Sequence, residues 1–64
     1  MAKTTYKDFP FEEACARFSL GNEYMKFYGG QEKKINRKND EESKLAAEIY
    51  LNGKTITESE YNKK

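Results

Sequence analysis

The chain has 64 residues, 36% of them charged and 36% hydrophobic, with five tyrosines, four phenylalanines and a formal net charge of +1. That balance is too polar for a membrane span and too aromatic for a wholly disordered tail, so one small soluble domain over residues 1–64 is expected, with a thin core. There is no histidine and a single cysteine, Cys15, which removes zinc sites, histidine bases, imidazole-activated thiols and internal disulfides. No catalytic residue, metal site or cofactor is therefore expected, and the chain is not expected to be an enzyme.

Residues 1–7 have no hydrophobic period and are expected to form a flexible arm, with Tyr6 as its first anchor. They carry no apolar run of signal-peptide kind, which together with the lone cysteine points to a reducing, cytoplasmic setting. Pro10 suits the first turn of a helix, and Glu12 and Glu13 follow in that turn. Phe11, Ala14, Cys15 and Phe18 then recur at three- and four-residue spacing, predicting a helix over about 10–19. Cys15 falls on its packing face as a small buried hydrophobe.

Ser19, Leu20 and Gly21 break the period, and Asn22 stands where a cap would open a second helix over 22–28 with Met25 and Tyr28 as its apolar positions. The pair forms a helix-turn-helix pattern in which Phe18 and Leu20 act as plugs. A strand is the alternative for 22–28. It would turn Met25 and Phe27 to one side and Tyr24, Lys26 and Tyr28 to the other, with Gly29 and Gly30 turning a hairpin into QEKKI. That partner offers only Ile35 as an apolar residue, so helix followed by loop is preferred.

Charge is segregated along the chain. Residues 21–38 carry Lys26, Lys33, Lys34, Arg37 and Lys38 against Glu23 and Glu32, a local balance of +3, whereas residues 39–51 carry Asp40, Glu41, Glu42 and Glu48 against Lys44, a balance of −3. The segment KKINRK either lies along phosphates or is a solvated loop neutralised by the acidic segment beside it. Asn39 or Asp40 caps a helix over about 39–48 that gathers Leu45, Ala46 and Ile49 on one side. Asn52 and Gly53 sit between β-branched and aromatic runs, predicting a hairpin over about 49–57, although Gly53 would serve equally as a helix cap. Thr57 and Glu60 have capping-box spacing, so a short terminal helix over 58–63 should follow, folding Tyr61 back onto the core.

Two blocks, FEEACARFSLGNEYM from Phe11 to Met25 and IYLNGKTITESEY from Ile49 to Tyr61, together resemble the small excisionases of conjugative transposons and phages, which are excisionase-type winged-helix DNA-binding domains. The resemblance implies an α+β, mainly helical, winged helix-turn-helix fold. It also implies a DNA-binding accessory factor that marks or bends the ends of a mobile element so that an integrase or other recombinase excises it. Double-stranded DNA would be the partner, with cooperative self-association on it and no membrane contact. On this likeness Asn22, Glu23, Lys26 and Phe27 form the exposed side of the recognition helix, while Asn52, Gly53, Lys54 and Thr55 form the wing tip. Lys33, Lys34, Arg37 and Lys38 supply phosphate contacts. The competing expectation is a small phage or mobile-element regulator that binds another protein through an aromatic patch of Tyr24, Phe27 and Tyr28.

Overall fold

The computed structural model describes residues 3–64. Five strands build one antiparallel sheet: β1 (Thr5–Phe9), β2 (Ala14–Ser19), β3 (Asn22–Phe27), β4 (Lys33–Lys34) and β5 (Lys54–Ile56), in the spatial order β4-β3-β2-β1-β5. Two helices, α1 (Asp40–Asn52) and α2 (Glu58–Lys63), flank β5 in sequence. Helix and strand contents are about equal, so the mainly helical winged helix-turn-helix expectation is overturned: neither of the first two expected helices exists.

The expected helix 10–19 is a single 3-10 turn (Pro10–Glu12) followed by β2. Pro10 does open a helical turn, as its fixed φ favours, but Glu13 then takes a left-handed conformation (φ +52°) and the chain reverses into β2. Ala14, Ala16 and Phe18 point to one face of the sheet and Cys15 and Arg17 to the other. Because β2 is covered on both faces, its apolar residues fit a period of two and a helical period equally well. Residues 22–28 take the rejected strand alternative. Met25 and Phe27 face one way and Tyr24, Lys26 and Tyr28 the other, and the β2–β3 turn is only Leu20 and Gly21, with Gly21 at φ +79°. Leu20 is not a plug but stands 91% exposed at the turn tip.

The arm expected over 1–7 contains Met1 and Ala2, which lie outside the described residues, while residues 5–7 already belong to β1, where Thr5 pairs with β2 and Tyr6 and Lys7 pair with both β2 and β5. The helix expected from Asn39 is present: the Asn39 side chain accepts from the backbone of Glu41 and Glu42, and Ala46 and Ile49 are buried. It runs through Tyr50 and Leu51 to Asn52, so the expected hairpin over 49–57 is absent and Gly53 is the helix cap, its N–H donating to the carbonyl of Ile49. The terminal helix is present with both halves of its capping box, Thr57 and Glu60.

The result is three layers. α1 starts beside β4, where Glu42 approaches Lys33 and accepts from the Asn36 amide, and ends beside β1, where Gly53 abuts Asp8. It thereby crosses one face of the sheet, sealing a core of Ala14, Ala16, Phe18, Met25, Ile35, Ala46 and Ile49, with Phe9 and Leu45 at its margin. Completing the burial of a side chain such as Ile49 or Met25 contributes roughly 1.5–3 kcal/mol. α2 lies on the opposite face, where Tyr61 packs on Tyr6 with ring centroids 5.2 Å apart.

Candidate functional site

On the α2 face, the polar side chains are consumed by one another. Arg17 donates two hydrogen bonds to Glu32, at 2.7 and 2.9 Å, and stacks over Tyr24 at 4.2 Å. The Tyr61 hydroxyl donates to the same carboxylate, and Lys26 sits 4.6 Å from the Tyr61 ring centre. Those donors, Arg17 first, hold the Glu32 carboxyl below the usual range, whereas burial and the carboxylate push the Tyr61 hydroxyl up. A second cluster surrounds buried Asp8, which accepts from the Tyr28 hydroxyl and lies 3.3 Å from Lys64 Nζ. Burial, and then the bond to Asp8, push the Tyr28 hydroxyl up to about 12. Cys15 is fully buried, and burial raises its thiol, so it is a packing group and not a poised nucleophile. Among the described residues, no group of three or more metal-ligating side chains converges.

The sequence-predicted site residues are not brought together. Glu23 and Phe27 lie on the α1 face of β3, Asn22 is exposed at its start, and Lys26 points to the α2 face. Glu23 is engaged by Arg37 through two bonds of 2.8 and 2.9 Å, with Arg37 holding the carboxyl below its ordinary range. Lys33 lies 3.6 Å from Glu42. Asn52 ends α1, and Gly53, Lys54 and Thr55 pass into β5 at the far side of the sheet, where Thr55 accepts from Lys7. Of the basic segment, Lys34 and Lys38 are exposed and make no ion pair among the described residues. The expected aromatic patch is divided as well, since Phe27 faces α1 while Tyr24 and Tyr28 are held on the other side.

What the structure does gather is a groove of mixed polar and apolar lining at the end of the sheet carrying the β2–β3 turn. Thr5, Phe18 and Glu23 lie side by side in register on β1, β2 and β3, and Tyr50 of α1 meets the Phe18 ring edge-on at 5.2 Å. Two adjoining hollows, of about 270 and 330 Å³, share Glu23 and Tyr50; Leu51 and Ala47 wall one, Leu20 and Lys3 the other. The rim exposes Leu20 at 91%, Leu51 at 76% and Tyr50 at 52%. The Glu23–Arg37 pair is matched within itself, Lys3 lines the groove, and Lys7, which donates to Thr55, lies 5.9 Å from the Tyr50 ring centre. Sequence reasoning missed this groove because it made Leu20 a plug and ended the helix before Tyr50 and Leu51, which α1 in fact carries. A Leu immediately before the Gly of a two-residue turn is the signal that would have put Leu20 outside.

No helix among the described residues is long and apolar enough to cross a membrane. Comparison of the chain with protein-family models, with curated proteins and with solved structures finds no match.

Proposed function

We propose that this chain is a non-catalytic binding module that engages a protein segment through the groove between α1 and the β2–β3 turn. The observation that carries this reading is the exposure of Leu20, Tyr50 and Leu51 on two adjoining hollows, in a domain small enough to need its large apolar side chains inside. Lys3 and Lys7 on the rim select the chemistry of the occupant: an aromatic or aliphatic anchor flanked by carboxylates. The test is a titration of isotope-labelled chain with a short peptide bearing a central phenylalanine between glutamates. Amide shifts should concentrate in residues 18–23 and 47–51, and a lysine-flanked control should bind more weakly. Shifts scattered over the surface, or none, would remove the reading.

A second reading, contact with duplex DNA, is favoured by exposed Lys34 and Lys38, which with Ile35, Asn36 and Arg37 line a shallow cleft of about 500 Å³. The recognition helix and wing on which the accessory-factor expectation rested are absent, so the remaining contact is with phosphate alone. Two lysines that displace counterions give a log–log salt slope of about −2, far shallower than a dedicated DNA reader shows. Anisotropy of a labelled duplex at low salt checks this, and an unchanged signal eliminates it.

A further inference from the structure

Opposite the groove, the sheet carries a matching projection. The β1–β2 connection is the turn Pro10–Glu12 closed by Glu13, and it is fixed at four points: Pro10 restricts its own φ, the Glu13 N–H donates to the Pro10 carbonyl, the Glu13 carbonyl accepts from Tyr28, and Glu13 itself is held left-handed. This stiff turn holds Phe11 88% exposed, 6.2 Å from the Phe9 ring, with Glu12 and Glu13 exposed beside it. An ordered aromatic flanked by two carboxylates is the chemistry the groove selects. Intramolecular docking is ruled out by geometry. The groove lies at the Ser19 end of β2 and the projection before its Ala14 end, six strand residues or about 17 Å apart.

We infer that the occupant of the groove is a second copy of this chain, whose Phe11 turn inserts between Leu20, Tyr50 and Leu51 while its Glu12 and Glu13 face Lys3 and Lys7. The inference rests on the groove reading above and names its partner. The interface is heterologous, because the projection of one copy meets the groove of the next, so each docked pair still presents one free groove and one free projection. Copies then join end to end along the strand direction. The sheet edges do not compete, since β4 and β5 are two and three residues long and carry Lys33, Lys34 and Lys54. One aromatic anchor in a small groove places the contact in the weak class of interfaces.

Sedimentation equilibrium of the full chain, from micromolar into millimolar concentration, tests this. The apparent mass should rise continuously with concentration. Phe11→Ala and Leu51→Asp, both at exposed positions, should each weaken association by roughly thirtyfold or more, as loss of a dominant anchor does. Leu20→Ser is the second groove variant should Leu51→Asp disturb α1, and circular dichroism confirms the fold of each. An equimolar mixture of Phe11→Ala and Leu51→Asp retains one working groove and one working projection, so it should form dimers and stop there. A wild-type chain that stays monomeric throughout, or a mixture that yields no dimer while wild type associates, overturns the inference. Peptide-induced shifts at the groove in a monomeric chain would refute self-docking while leaving the groove reading intact; absence of both would end the two together.

Discussion

At Gly53 an added Cβ would lie 2.3 Å from the Ile49 carbonyl oxygen and 3.2 Å from that of Asp8, although the backbone there (φ −72°) suits any residue. The glycine is required by the close passage of the end of α1 over β1. Gly53→Ala should therefore destabilise the fold by about 1–3 kcal/mol, read as a lower urea midpoint. Titration of single residues bounds the fold at both ends of the pH scale. The Tyr28 hydroxyl, ordinarily at 10.0, is pushed up to about 12, so the folded chain holds its proton where the unfolded chain has lost it. Stability from this group is complete below pH 10.0 and falls as pH rises from there to about 12; Tyr28→Phe should flatten that alkaline decline, followed by urea midpoints across the range. Glu32 and Glu23 are lowered, so each stabilises above the ordinary carboxylate range and loses that contribution as pH falls through its folded value. Both are partly exposed, which limits each to about 1 kcal/mol or less, and Glu32→Gln should shrink the acid-side loss by that amount.

At the scale of elements, α2 has six residues and cannot persist alone, so its capping box and Tyr61 hold it in place. Thr57→Ala should cost about 1 kcal/mol and release Tyr61 from Tyr6 and Glu32, seen as faster hydrogen exchange in α2 with little change in β2. Both helix starts were legible because a cap is local: Asn39 and Thr57 satisfy amides two or three residues away. The strands were not. In β2 the two alanines favour a helix by propensity, and only pairing with β1 and β3 decides otherwise. β3 is hidden for the same reason: the segment after it, β4, offers it little apolar surface, and its main partner is β2.

Across the whole molecule, β1, β2 and β3 each have neighbours on both sides, while β4 and β5 are short margins. Amides of the three inner strands should exchange only on global unfolding, and those around Lys33 and Lys34 well before, as measured by native-state hydrogen exchange. The distribution of surface chemistry follows from the same layout. Arg17, Lys26, Arg37 and Lys64 are tied to carboxylates or rings on the two faces, which leaves the ends of the sheet as the surfaces with unmatched apolar groups and charge. The segregated charge in sequence does not survive as two faces, because Arg37 turns back to Glu23 and Lys33 to Glu42.

By itself the sequence determined the caps at Asn39 and Thr57, the two helices that follow them, the helical turn at Pro10 and the absence of imidazole and paired thiols, all of which depend on residue identity or on neighbours within a few positions. Tertiary structure alone decided that residues 14–19 and 22–27 are strands, that α1 runs on through Leu51, and that Leu20 and Phe11 stand at opposite ends of one sheet. The physical reason is that a strand's backbone hydrogen bonds are completed by distant segments. Here β1 joins β5 across nearly fifty positions, in the pairing of Lys7 with Thr55. A groove shared between a turn and the end of a helix exists only once that pairing has fixed where both lie.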